Sequence, residues 1–364
     1  MFKFAGIIFC GALIFMAGCA TQPNESLPPN WSAPNEAPVP PPQKLPPLQP
    51  IPSPVITNPP PPRAALKAAP VYTWTSLNRW AAEQKISAPE KLASSPVTAY
   101  AVSSRNGVLV LEIGAREATW NGVEINLGFA PEFIDDQVFV HGLDLQKNLE
   151  PLLLGEPLEF PGTNRVIVID PGHGGDNHGT SSVLDRRLEK EFTLDWAKRL
   201  KPLLETNGWK VFLTRTGDTY VTNASRVIFA EAHHADLFIS LHFNSTPERD
   251  EKTGGLETYC FTPTGMPSTV TRGYADPWSE KLSSNDFDEQ NLQLAVKLQG
   301  ALLRATGLDD RGVRHVRFIE VLRGQRRPAV LIEGGYLSNP REAEKIESAA
   351  YRQKLAEAIA AALK

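Results

Sequence analysis

Cysteine is scarce in this chain: three in 364 residues. Three thiols cannot build the disulfide framework that holds small secreted domains together. No apolar run approaches the roughly twenty residues that a membrane-spanning helix needs. A long basic run is missing too, and the formal net charge is −4. Proteins that neutralise phosphates need a basic face, so nucleic acid is not an expected partner. What is abundant is proline. There are 32, and 18 of them fall in residues 21–70. The chain therefore reads as an ordered body preceded by a proline-rich tract.

Lys3 gives the start one positive charge. Residues 4–15 then form an apolar run of about a dozen, the length of a signal-peptide core. The run ends at Met16-Ala17-Gly18-Cys19. Small residues before a cysteine at this place resemble the bacterial lipobox, with Met16 where leucine is usual. The resemblance implies a lipoprotein signal peptide over 1–18 and a lipid anchor through Cys19. Ala20, rather than aspartate, follows that cysteine. In a Gram-negative cell this implies the outer membrane, facing the periplasm. Cys10 would leave with the signal, and Cys260 is expected to be a free buried thiol. Residues 19–70 lack apolar periodicity and carry several Pro-Pro pairs, which favour extended polyproline II. They are expected to be a disordered tether, about 150 Å long at ~3.1 Å per residue.

Order resumes near residue 71. Leu77, Trp80, Ala81 and Ile86 suggest a short helix with one apolar side. Strand-like runs follow at 98–103, 108–113, 118–120, 123–127 and 137–141. Asn121-Gly122 stands between two of them and predicts a type I′ hairpin, whose central residues both need positive φ. Residues 71–155 are thus expected to be a small β-rich α+β accessory domain. The stretch Trp120-Asn121-Gly122-Val123-Glu124-Ile125-Asn126-Leu127, with Pro131 and Val138-Phe139-Val140, is similar to the copper-amine-oxidase N-terminal-like domain. His141 is the only histidine before residue 173, so no metal cluster is expected there. The domain's role, spacer or wall- or partner-binding module, stays open.

From residue 164 the pattern changes to strands alternating with helices. Strands are expected at 165–170, 209–214, 237–242, 255–260, 313–318 and 329–333. Helices are expected over 189–206, 221–232 and 292–306, with a last one through Tyr351, Leu355 and Ile359. Such alternation predicts an α/β fold, a mostly parallel sheet flanked by helices. In an open sheet of that kind, sites form outside the carboxyl ends of the strands. His173 lies just past the first strand, His242 ends the third and Glu333 ends the last, while Glu189 opens the first long helix. Two histidines and a carboxylate make a catalytic zinc set with one position left for water. The other carboxylate is then available as proton acceptor. Asp170 and Asn244 are candidates for orienting the ligands. His178, His233, His234 and His315 are not expected to be ligands.

These residues stand in recognisable blocks. They are Ile169-Asp170-Pro171-Gly172-His173-Gly174-Gly175, Leu188-Glu189-Lys190, Leu213-Thr214-Arg215 and, from Ala235 to Asn244, ADLFISLHFN. Gly255-Leu256-Glu257-Thr258-Tyr259 follows, and the last block runs from Pro328 to Asn339, PAVLIEGGYLSN. Residues 164–364 therefore resemble the zinc-dependent N-acetylmuramoyl-L-alanine amidases of the amidase-3 type. The resemblance implies zinc held by His173, Glu189 and His242, with Glu333 as catalytic acid/base. It implies peptidoglycan as substrate, cut at the amide between N-acetylmuramic acid and L-alanine. Two alternatives stand beside it: a non-catalytic peptidoglycan-binding pseudo-enzyme, and a zinc peptidase acting on the stem peptide. Between Cys260 and Asn291 lies a long polar insertion. Loops of that length are often functional. Relatives that plug their zinc site with a nearby insertion suggest a lid here, using Asp286, Asp288 or Glu289, and an activator protein that opens it.

Overall fold

The computed structural model describes residues 73–93, 98–160, 162, 164–270 and 276–364. The expected signal peptide, Cys19 and the tether lie outside the described residues. The first part of the described chain comprises β1 (Trp74–Ser76), α1 (Leu77–Glu83), β2 (Glu90–Ala93), β3 (Ala99–Ser104), β4 (Gly107–Glu112), β5 (Glu117–Trp120), β6 (Val123–Asn126), β7 (Glu132–Ile134) and β8 (Gln137–His141). Helical turns α2 (Gly142–Asp144) and α3 (Glu150–Leu153) close it. The turn between β5 and β6 behaves as its sequence demands. Asn121 and Gly122 have φ of +48° and +81°, and Trp120 pairs with Val123 across it. The helix expected around Trp80 is α1, with Leu77, Trp80 and Ala81 buried.

The second part contains β9 (Val166–Pro171), α4 (Glu189–Thr206), β10 (Lys210–Leu213), α5 (Asn223–Ala232), β11 (Leu237–Asn244) and β12 (Leu256–Phe261). It continues with α6 (Asp288–Thr306), β13 (Asp310–Val316), α7 (Glu320–Arg323), β14 (Ala329–Tyr336), α8 (Pro340–Glu347) and α9 (Ala349–Ala362). Helix α6 stops at Gly307, whose φ of +65° is the left-handed C-terminal conformation glycine favours.

One eleven-stranded sheet runs in the order β10-β9-β11-β14-β12-β13-β6-β5-β4-β3-β2, and β1, β8 and β7 form a small second sheet. Around the carboxyl end of β9 the pairing is parallel: β10 with β9, β9 with β11, and β11 with β14. The expected parallel sheet is met there but not throughout. β12 enters antiparallel to β14, and β6 to β2 form an antiparallel meander. β13 joins the two parts by pairing Val313 with Ile125 of β6. Glu124 N–H also donates to Asp310 Oδ2 at 2.7 Å, and Asn126 Nδ2 to the Val313 carbonyl at 3.4 Å.

The direction of β12 moves the insertion. Its residues pair Glu257 with Glu333 and Tyr259 with Leu331. β12 therefore leaves the sheet at the amino end of β14, opposite the edge where Glu333 lies. Residues 262–270 and 276–287 accordingly pack at the far edge. Thr262 N–H donates to Val316 O, Arg317 reaches the carbonyl of Glu280, and Lys147 pairs with Asp288. The expected lid over the site is not found among the described residues, and Asp286, Asp288 and Glu289 do not face it. An alternating α/β reading would have the strand exit beside the site, and the reversed strand does not.

Candidate metal centre

The site is assembled at the carboxyl edge of β9, β11 and β14. The apolar strand Val166–Pro171 delivers a glycine-rich loop, and His173 sits in it at φ +63°, a left-handed backbone that is unusual for a side-chain-bearing residue. Arg226 fixes the loop: it pairs with fully buried Asp170, and its Nη2 donates to the His173 carbonyl at 2.7 Å. Lys190 adds a second clamp, donating to Gly175 O and to Asp218 Oδ2, both at 2.8 Å. Two glycines are there because the side chains of His242 and Glu189 lie on them. A Cβ at Gly172 would come within 2.3 Å of the His242 ring, and one at Gly179 within 2.4 Å of Glu189 Oε2.

Glu189 opens α4 and turns inward, whereas its neighbour Glu191 pairs with Arg187 at the surface. The Glu189 carboxylate lies between two imidazoles, with His173 Nε2 at 3.1 Å from Oε2 and His242 Nδ1 at 3.0 Å from Oε1. Thr180 N–H and Phe243 N–H donate to the same two oxygens at 2.9 and 3.0 Å. The rings of His173 and His242 meet edge to face, 4.7 Å between centroids. Burial by itself would raise the Glu189 carboxyl; His173 and His242 outweigh it and hold the group well below the usual carboxylate range. The two histidines divide. Burial lowers His173, but the charge of Glu189 raises it overall, whereas in His242 burial prevails and the net shift is downward. Glu189 thus favours the charged form of His173, while burial disfavours that of His242.

These three residues fit a metal ion. One donor atom from each lies within 4.8 Å of the others. Tetrahedral ligands about 2.0–2.2 Å from a metal sit roughly 3.3–3.6 Å apart, so small movements suffice. The remaining nitrogen of His173 is also used as a ligand's should be. Its Nδ1–H donates to Asn177 Oδ1 at 2.8 Å, and Gly179 N–H donates to the same oxygen at 3.4 Å. With Nδ1 committed as donor, the neutral ring leaves the Nε2 lone pair facing the cluster.

Glu333 stands on β14 directly across from His242 on β11. It is 2% exposed, and its Oε2 has no hydrogen-bond partner. Burial, then the negative charges of Glu189 and Glu257, hold its carboxyl well above the usual range. Arg323 and Arg327 do not neutralise it; they pair with Glu280 and Glu231. Asp170 and Asn244 touch neither imidazole. Asp170 binds Arg226, Thr214 and Ser240, while Asn244 binds Glu257 and Tyr336. It is Asn177 that hydrogen-bonds an imidazole of the cluster, and its only signal in the sequence is its place four residues after His173. None of His178, His233, His234 and His315 joins the cluster. Cys260 is free and buried as expected.

An α/β sheet carrying a buried His–Glu–His group at the carboxyl ends of its strands defines a class: a protein able to hold a metal ion beside a protonatable carboxyl. The chain belongs to the N-acetylmuramoyl-L-alanine amidase family called amidase-3, whose sequence profile matches residues 167–364. It is similar to the probable cell wall amidase LytH of Staphylococcus saprophyticus, 34% identical over 57% of this chain and 60% of that one. It is similar also to the N-acetylmuramoyl-L-alanine amidase AmiC of Escherichia coli, 30% identical over 61% of this chain and 58% of that one. This chain thus spans about three fifths of the length of these curated relatives. Among solved structures, an N-acetylmuramoyl-L-alanine amidase from Clostridium difficile 630 aligns at 32% identity, covering 55% of this chain and 95% of its own, with a TM-score of 0.45.

Proposed function

We propose that this protein is a zinc-dependent N-acetylmuramoyl-L-alanine amidase that cuts peptidoglycan between N-acetylmuramic acid and L-alanine. His173, Glu189 and His242 would hold the zinc, and Glu333 would act as acid and base. What supports the reading most is the register that sets Glu333 across from His242, beside the His–Glu–His cluster, in a chain of this family. Bound zinc supplies a Lewis acid that polarises an amide carbonyl and lowers the pKa of water. The protein does the rest. Glu189 receives two backbone N–H donors, so its carboxylate cannot swing away. The Asn177 bond keeps the His173 ring from rotating. Glu333 handles the proton: as carboxylate it accepts one from the attacking water, and as acid it returns one to the departing alanine nitrogen. An amine leaves poorly unless protonated. Burial and the neighbouring carboxylates favour the acid form that makes the delivery.

Residues 71–155 would then serve as an accessory module, with β2 to β6 on the sheet edge far from the site. Residues 1–18 would be a lipoprotein signal and 19–70 a tether from a lipid at Cys19. In a Gram-negative cell the enzyme would then work in the periplasm, anchored to the outer membrane, with wall cleavage during cell separation as its setting and an activator protein as a partner. No helix among the described residues is long and apolar enough to cross a membrane. Digestion of purified sacculi with and without a chelator, followed by mass analysis, tests the reaction. Glycan strands and intact stem peptides that vanish with chelator are expected. Cuts within the peptide would make it a peptidase, and binding without products a pseudo-enzyme.

A further inference from the structure

The row of side chains that begins at His242 and Glu333 does not end there. Glu257 on β12 stands across from Glu333 and is completely buried. Its carboxylate accepts from Arg311 Nε at 2.7 Å, Asn244 Nδ2 at 2.9 Å and Tyr259 O–H at 2.6 Å. Arg314 Nε lies 3.5 Å from the same carboxylate oxygen that Arg311 uses. Two guanidinium groups from the start of β13 therefore share one buried carboxylate.

Arg311 is held by its inner half only. Its guanidinium carbon lies 5.2 Å from the Tyr336 ring centroid, and its arm lies along Gly255, where an added Cβ would be 2.9 Å from Arg311 Cγ. Nε is spent on Glu257. Nη1 and Nη2 have no hydrogen-bond partner among the described residues, and the side chain is 23% exposed. A fork fixed at one end with two free parallel donors is the form in which arginine takes a carboxylate bidentately. β13 lies two strands from β14, roughly 10 Å at ~4.8 Å per strand. An extended peptide covers that in about three residues.

We propose that Arg311, with Arg314 beside it, is the receptor for a free carboxylate of the peptide, within about three residues of the amide that is cut. This rests on the amidase reading above and adds to it a basis for choosing among peptides. An amidated peptide offers the fork a neutral group that is itself partly a donor, and it binds more weakly.

The test uses the full, zinc-loaded chain and two muropeptides that differ only in whether that carboxyl is free or a carboxamide. Wild type should show a KM ten- to a hundredfold lower for the free acid, as expected for a charged hydrogen bond. Arg311→Gln and Arg311→Lys should shrink that ratio to about threefold or less, with the change in KM rather than kcat. Lysine keeps a cation against Glu257 but lacks the fork, so it decides the matter if the glutamine variant does not fold. Equal KM values in wild type, or a ratio that survives in either folded variant, overturn the proposal. If wild type cleaves neither muropeptide, the amidase reading fails instead. Calorimetric binding of the same pair to Glu333→Gln then still reads whether Arg311 prefers the free acid.

Discussion

Each imidazole of the cluster has two nitrogens, and only one can face a metal. In His173 the choice is made by Asn177, which takes Nδ1–H and is itself pinned where the loop bridges Gly174 to Asn177. Loss of such a partner typically weakens metal binding ten- to a hundredfold. Asn177→Ala should therefore lose zinc to a competing chelator at correspondingly lower concentration while its fold, by circular dichroism, is unchanged; unaltered affinity would refute the role. Glu333→Gln tests the neighbouring assignment. It keeps shape and removes the proton carrier, so kcat should fall roughly 10²- to 10⁴-fold at unchanged zinc content. A variant that keeps full activity removes Glu333 from the chemistry. His173, Glu189, His242 and Glu333 could be proposed from the sequence because their types are seldom combined except for such chemistry, and because their blocks resemble the amidase-3 pattern, which singled out Glu189. Asn177 could not, since its role exists only once the loop has curled back on itself.

At the scale of elements, local signals were reliable where local sterics govern. Asn121-Gly122 makes its hairpin and Gly307 ends α6. The insertion is the opposite case. Its residues are polar and loop-like, but where they go depends on which way β12 runs. Its described residues, at the far edge, act as a clasp. Met266 is fully buried, against Gly128 where a Cβ would lie 2.5 Å from its Cγ. Arg116 reaches the carbonyls of Pro267 and Ser268, and Asn285 Nδ2 donates to Thr262 O at 2.9 Å. That last bond brings the ends close enough for a short link to replace residues 262–287. Such a deletion should lower Tm by about 5–10 °C, the effect of two to four kcal/mol in a body of this size, and should not raise activity. Higher specific activity in the deleted chain would restore the lid.

Across the molecule, the two parts are tied through one buried chain of hydrogen bonds. Cys260 Sγ meets His315 Nδ1 at 3.3 Å, His315 Nε2 meets Asn148 Oδ1 at 3.1 Å, and Asn148 Nδ2 donates to Asp144 Oδ1 at 2.7 Å. Burial, aided by Arg116, lowers His315 from 6.5 to about 4. The folded chain then refuses a proton that the unfolded chain accepts. Stability from this residue is complete above about pH 6.5 and is lost as pH falls towards 4. Between pH 7 and 5 the loss should be about 2 kcal/mol. In urea denaturation His315→Gln should flatten that slope, whatever its stability at pH 7; an unchanged slope would show that other groups carry the acid sensitivity.

The sequence by itself determined the α/β alternation of residues 164–364, the hairpin meander before it and the residue types of the His–Glu–His cluster. Periodicity, turn chemistry and side-chain type act over a few residues and need no knowledge of the rest. The tertiary structure alone decided the antiparallel entry of β12, the single sheet that joins both parts, the far-edge position of the insertion's described residues, and the meeting of Glu257, Arg311 and Glu333. Strand direction and register are settled by which edges and faces are left to pair once the other strands are in place, and no short stretch of sequence encodes that.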